Sequence, residues 1–268
     1  MIQLISGLLV SVLMATASWA DEMKLAVTTS FHNSGLSDIL LPAIKQDIGL
    51  EVQLLVVGTG QALRLGRAGD VDAILVHSRK AEDKFLADGN GTHRRPIMYN
   101  DFVVIGPKSD RATVAQATSA VEAFQKLAAE SAPFVSRGDD SGTHKKELSL
   151  WSEAGLDVDE FEGWYNAVGA GMGAALNTAS GLNAYIMADR ASWLNFGNKG
   201  DLVLLYSGDP ALFNQYTYIP ISQTRHSHVK RDLAQKLEAW LVSDRAETLI
   251  NDYKINGEGL FVFNATGE

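Results

Sequence analysis

The sequence predicts an α/β protein in two lobes, and three observations lead there. From residue 24 onward, short apolar runs alternate with stretches of helical period, the pattern of strands and helices taking turns. Two extended stretches, NDFVVIGP at 100–107 and NQYTYIPIS at 214–222, fall where a chain could cross from one lobe to the other. A length of 268 residues is enough to bury two cores. The boundaries read as a leader at 1–20, a first lobe at 21–102 plus 218–268, and a second lobe at 103–217.

The elements follow in chain order. MKLAV (23–27) is a strand, and Leu36, Ile39, Leu40, Ala43, Ile44 and Ile48 then recur with the spacing of an amphipathic helix. VQLLVV (52–57) is a strand, GQALRLGRAG (60–69) a short helix, and DAILVH (72–77) a strand of buried residue types. PIMYNDFVVIG (96–106) reads as extended, TSAVEAFQKLAAE (118–130) as a helix, and FVS (134–136) as a strand end. THKKELSLWSEAG (143–155) is a helix closed by Gly155. AYIMA (184–188), LVLLY (202–206) and YTYIPI (216–221) are strands, and two helices finish the chain, the first marked by Val229, Leu233, Leu237, Trp240 and Leu241. Alternation of this kind predicts parallel sheets, with ligands at the carboxyl ends of the strands.

Composition removes several classes of function. Apolar residues at 46% and charged residues at 21% are ordinary globular values, so disorder is excluded. A net charge of −9 argues against nucleic acid as a partner, because phosphate-backbone binding needs clustered Lys and Arg. The chain has no cysteine, which removes thiolate metal sites, a thiol nucleophile and a lipid-anchoring cysteine. MIQLISGLLVSVLMATASWA carries no charged side chain and ends in Ser18-Trp19-Ala20, a small-x-small cleavage pattern. It reads as a secretory signal peptide, with an uncleaved membrane anchor as the alternative. A free periplasmic protein is the expectation.

Three strand ends carry one kind of chemistry. VTTSFHNSG (27–35) sets Thr28, Thr29 and Ser30 after a strand, VGTGQAL (57–63) sets Thr59 between two glycines, and VSRGDDSGTH (135–144) sets Arg137 ahead of Ser141, Gly142 and Thr143. Backbone N–H groups and hydroxyls at a helix start are the physical recipe for holding an anion. Each site also has the plainer reading of an N-cap. Capping alone does not call for Arg137, whose guanidinium suits a tetrahedral oxyanion through charge-assisted bonds. Asp139 and Asp140 either orient that arginine or stay at the surface. His144 and Glu147 do not form HExxH, so no metal site is expected. VGAGMG (168–173) has the wrong glycine spacing for dinucleotide binding and instead lets a helix begin near the ligand or the opposite lobe. A hydrolase triad from Ser141 and His144 lacks the G-x-S-x-G elbow, so an enzyme is not expected.

TTS followed by SGL, GTGQAL, GDVDAILVH, MYNDFVVIGP, FVSRGDDSGTHKKE and VGAGMG together resemble the tungstate-binding proteins of ABC-type tungstate uptake systems. The resemblance spans almost the whole chain after residue 20. It implies a two-lobed periplasmic-binding-protein fold of type II that closes on an oxyanion held between the lobes. It further implies contacts from Thr29, Ser30, Arg137 and Ser141 to Thr143, with Thr28 and Thr59 beside them. The expected ligand is tungstate, with molybdate possible, and no cofactor. The expected partners are a membrane permease and its ATPase, with the binding protein a monomer. A sensor presenting the anion to a signalling receptor would share every pocket residue.

The sequence departs from the family's TTTSTxDSG opening at Val27, Phe31 and Asn33. Phe31 offers only its backbone N–H, so the first lobe has fewer hydroxyl donors. Phosphate near neutral pH keeps a proton and needs an acceptor in its pocket, whereas tungstate, molybdate and sulfate want donors only. Phosphate-binding relatives would place an aspartate after the third strand; this chain has His77 and Ser78 there. A fully ionised oxyanion is therefore favoured, and only the resemblance separates tungstate from molybdate.

Overall fold

The computed structural model describes residues 21–139 and 141–265; the expected leader at 1–20 and Asp140 lie outside the described residues. The first sheet is built from β1 (Asp21–Thr28), β2 (Leu50–Val57) and β3 (Ala73–Val76), with α1 (Thr29–Asn33), α2 (Leu36–Ile48), α3 (Thr59–Ala68) and α4 (Arg79–Ala87) between or after the strands. β1 pairs in parallel with β2 on one side and β3 on the other. The long strand β4 (Arg95–Pro107) then leaves this sheet and enters a second one. There α5 (Ala120–Ala129), β5 (Phe134–Ser136), α6 (Gly142–Glu153), β6 (Tyr165–Ala167), α7 (Met172–Leu182), β7 (Tyr185–Asp189), α8 (Arg190–Asn195) and β8 (Leu202–Tyr206) follow. β9 (Phe213–Pro220) returns to the first sheet, and α9 (Arg231–Leu241) and α10 (Asp244–Asn251) pack on it.

β4 joins the two halves by changing partners partway along. Residues Arg95 to Asp101 pair with β9, and Phe102 to Ile105 pair with β7, with β8 beyond. All three of these pairings are antiparallel, as is β3 with β9. The expectation of parallel sheets therefore holds for β1–β2–β3 and for β5 with β6 and β7, and fails for the crossing strands. Alternation of strand and helix reports helical crossovers, and a strand passing directly between sheets has none.

Both faces of each sheet are covered, which the period of the strands dictates. On β1, Met23, Leu25 and Val27 join Leu36, Leu40 and Trp240 on one face, while Ala26 meets Ala62, Ile74 and Phe85 on the other. On β4, Phe102 and Val104 face Phe124 and Trp151, and Val103 and Ile105 face Leu176 and Trp193. Trp151 anchors α6: its fully buried ring lies edge-on to Phe124 at 4.4 Å and Phe134 at 5.3 Å between centroids. Such aromatic pairs contribute about 0.5–1.5 kcal/mol each beyond area burial. The start of α6 is thus held in register with the end of β5, where the polar run begins.

Candidate anion site

The registers of the parallel strands gather their carboxyl ends on one edge of each sheet. In the first, Thr28 is level with Val57, and Val27 with Leu75, so Thr28 to Ser30, Gly58-Thr59 and His77-Ser78 emerge side by side. In the second, Ser136 is level with Ala167 and Val135 with Ile186, so Arg137, Val168 and Asp189 emerge together. The two edges face each other. A Cβ added to Gly142, at the start of α6, would lie 2.5 Å from His77 Cε1 and 2.9 Å from Nδ1.

On the first edge, Thr28 is buried and caps the one-turn helix α1, its Oγ1 accepting from Phe31 N at 3.3 Å. The capping reading is therefore correct for Thr28, and α1 precedes the helix expected near Gly35. Ser30 Oγ lies 3.1 Å from Thr28 Oγ1, 3.0 Å from Tyr216 OH and 3.2 Å from His77 Nε2. Thr29 is exposed, and Thr59 is buried as the first residue of α3, whose N-cap Gly58 supplies no side chain. Ser78 N donates to Glu82 at 2.6 Å, and Arg94 holds the same buried carboxylate at 2.6 and 2.9 Å. That pair pins the turn that carries His77. Burial pushes the Glu82 carboxyl up despite Arg94 and the Ser78 N–H.

On the second edge, Ser141 caps α6, accepting from His144 N at 3.2 Å, and Thr143 is buried within its first turn. Arg137 pairs with Asp139, whose other oxygen accepts from Ser141 N at 3.2 Å. Burial acts to raise the Asp139 carboxyl, but the Ser141 bonds and the Arg137 charge outweigh it and hold the group below its ordinary value. Asp139 thus orients the arginine across the turn. Gly138, at φ +59°, lets this turn lie against the next loop: a Cβ there would sit 3.0 Å from Ala167 Cβ and 3.3 Å from Gly169 N. VGAGMG is that loop; Ala170 N donates to Arg137 O at 3.1 Å, and Gly171 begins α7 with no side-chain cap.

Three buried side-chain nitrogens find no partner among the described residues: Arg137 Nε, His77 Nδ1 and Asn100 Nδ2. An unmatched buried N–H costs about 1–3 kcal/mol, so the Arg137 and Asn100 N–H groups near one place call for a ligand that accepts. Arg137 raises the local potential at both His77 and Asp189. Burial pushes the Asp189 carboxyl up, and it caps α8 by accepting from Ser192 N at 2.9 Å. Asn100 and Asn214, on the two crossing strands, are bonded to each other at 2.9 Å. His77 and Gly142 also line a cavity of about 880 Å³. Its wall carries Arg79, Lys80, Lys84, Arg94, Lys145 and Lys146 and, among the described residues, no carboxylate, in a chain of net charge −9.

Ser30, Arg137 and the start of α6, expected from sequence, are thus brought to one place. His77, Tyr216 and Asn100 are not among the expected site residues, whereas the start of α7 is the helix start expected at VGAGMG. His77 carried a signal, standing at the end of the third strand level with the threonines.

Two α/β lobes joined by crossing strands, with a donor-rich polar cleft where their strand ends meet, define a periplasmic-binding-protein fold. The profile of the PBP superfamily domain matches residues 15–245. The tungstate-binding protein TupA of Peptoclostridium acidaminophilum is 41% identical over 245 residues, covering 90% of this chain and 85% of that one. The structure of TupA from Desulfovibrio alaskensis G20 superposes with a TM-score of 0.85 at 42% identity, over 92% of this chain and all of that one. The structure titled as the tungstate ABC transporter from Geobacter sulfurreducens gives 0.79 at 46% identity, over 87% and 98%. The chain belongs to the PBP superfamily and, within it, to the TupA family.

Proposed function

We propose that this protein captures tungstate between its lobes and delivers it to the permease of an ABC transporter. It binds and releases its ligand without covalent chemistry. The observation that carries the reading is Arg137 Nε, a buried cationic N–H without an acceptor, beside the start of α6. A dianionic tetrahedral oxyanion would accept from it, from the N-terminal N–H groups of α6 and from Ser30. The ligand-binding set is Thr28, Thr29, Ser30, Thr59, Arg137, Ser141, Gly142 and Thr143, with Thr28 and Thr59 shaping the first-lobe wall. Molybdate, of equal charge, is the competing ligand.

Donors from both lobes would complete the anion's shell only when the lobes are shut, so the ligand selects the closed form. The hinge of that motion is proposed at Asp101/Phe102 and Phe213/Asn214, where β4 and β9 cross between the sheets. The second of these lies four residues ahead of the boundary at 217/218 read from sequence. The protein acts as a periplasmic monomer with a transporter ATPase as the energy source. No helix among the described residues is long and apolar enough to cross a membrane.

Calorimetric titration of the chain from residue 21 with tungstate, molybdate, sulfate and phosphate tests the reading. Tight binding of tungstate is expected. Binding of phosphate in preference to tungstate would overturn the choice of ligand, and no binding of any of the four would overturn the class.

A further inference from the structure

The protons around Ser30 can be counted. Its hydroxyl meets Thr28 Oγ1, Tyr216 OH and His77 Nε2, and a hydroxyl has one proton to give and two lone pairs to accept with. Tyr216 is fully buried, and burial pushes its phenol above its ordinary value, so it keeps its proton and can donate it to Ser30. With Thr28 Oγ1 accepting from Phe31 N, its own proton is available to Ser30. Both lone pairs of Ser30 are then in use. In that arrangement its single proton goes to His77 Nε2 and the neutral ring carries its own hydrogen on Nδ1; the reverse arrangement, with Nε2–H donating to Ser30 and Ser30 to Thr28 Oγ1, is the alternative that the nitrogen spectra below distinguish.

That Nδ1 is shut off from solvent, makes no well-formed hydrogen bond among the described residues although Asn214 and the residue's own carbonyl lie near enough to act on the ring, and stands against the start of α6. The ring is fixed from one side by Tyr216, 4.9 Å away between centroids. Burial, with the Arg137 charge adding to it, holds the imidazole's pKa down to about 4, so the ring is neutral at physiological pH. The titratable and charged groups around it are Tyr216 on β9, Arg137 with Asp139 after β5, and Asp189 at the end of β7. Asp139 is engaged by Arg137 and Ser141, and Asp189 by Ser192. Phe31, packed 6.2 Å from Tyr216, has no hydroxyl to contribute.

We propose that His77 is a further, specificity-determining ligand of the oxyanion, a neutral Nδ1–H donor from the first lobe held in that tautomer by the Tyr216–Ser30 relay. The proposal rests on the oxyanion-binding reading above. Opposite Arg137 and the start of α6, it makes the shell one of donors. An anion that keeps a proton at neutral pH, such as hydrogenphosphate, would set its own O–H against an N–H with no acceptor to take it. The first lobe thus discriminates by ionisation state, and Tyr216 is a positioning residue for that choice.

The test is titration of His77→Ala, His77→Asn and Tyr216→Phe with tungstate and with phosphate, beside wild type. His77→Ala should weaken tungstate about 10- to 100-fold, the worth of one hydrogen bond to a charged acceptor. His77→Asn, whose amide N–H can stand where Nδ1–H does, should recover most of the loss. Tyr216→Phe should weaken tungstate less than His77→Ala. Nitrogen-15 spectra of the imidazoles should show the Nδ1–H form at His77 with and without tungstate, with Nδ1 shifting when the anion is added, a readout that survives if His77→Ala does not fold. Unchanged tungstate affinity in His77→Ala, or an Nε2–H ring in the bound protein, overturns the proposal while leaving tungstate binding intact. Failure of wild type to bind any oxyanion overturns the reading beneath it.

Discussion

Arg190 holds Asp101 with both arms of its guanidinium, Nε on one carboxylate oxygen at 2.7 Å and Nη2 on the other at 2.5 Å. Asp101 is the last residue of β4 paired to the first sheet, and Arg190 opens α8 at the end of a second-sheet strand. The pair therefore ties the second half to the point where the chain crosses. Asp101→Asn should cost about 1–3 kcal/mol, the value of a charge-assisted pair. It should also loosen the relative placement of the lobes. Urea denaturation reads the first effect, and a larger radius of gyration in solution scattering without anion reads the second.

Arg137 presents a fork, with one arm on Asp139 and Nε unused within the protein. Lysine keeps the charge and loses the Nε–H direction. Arg137→Lys should therefore weaken tungstate at least tenfold in calorimetry, and Arg137→Ala further still. Thermal stability of the lysine variant should change little. Equal affinity in Arg137→Lys would mean that charge alone is used.

Gly142 allows close approach across the cleft, since a side-chain carbon there would fall 2.5 Å from the His77 ring. Its backbone is compatible with helix, and alanine favours helix more than glycine does. Gly142→Ala should thus leave the melting temperature unchanged or slightly raised while weakening anion binding. Slower dissociation or tighter binding in this variant would contradict closure at this contact.

Glu147 is buried on α6, accepting from Tyr165 OH at 2.7 Å and Trp151 Nε1 at 3.2 Å. Burial lifts its pKa to about 7. A carboxyl raised in the folded state favours folding fully below its unfolded pKa, and that contribution is lost as pH rises through about 7. Relative to wild type, Glu147→Gln should gain stability between pH 5 and pH 8, reaching up to about 3 kcal/mol at the alkaline end. Urea midpoints of the two proteins across that range give the difference curve, and parallel curves would show that Glu147 does not titrate there.

Much of this arrangement is legible along the chain. Apart from β6, whose Tyr165–Ala167 is short and largely exposed, the strands of both sheets show as apolar runs, and α2, α5, α6 and α9 show as helical periods, because each buries a full face. α4 and the body of α7 do not show, although VGAGMG marks where α7 begins. RKAEDKFLA buries Phe85 and the carboxylate of Glu82, and MGAALNTASGL packs with small residues, so neither presents an apolar stripe of helical period. Three of the strand ends carrying the polar runs are legible too, since hydroxyls and glycines stand at each change from strand to helix and an arginine at the third.

By itself, the sequence determined the family, the two-lobed plan and the placing of Arg137 beside the start of α6, the proposed wall of the anion site, because those features are local runs of residues. Tertiary structure alone decided the opposite wall. Ser30, His77 and Tyr216 are 47 and 186 residues apart along the chain, counted from Ser30, and meet only through the pairing of β1 with β3 and β3 with β9. Which protons they share, and hence which nitrogen of His77 carries its hydrogen, depends on that meeting, since a hydroxyl's role is set by all of its neighbours at once.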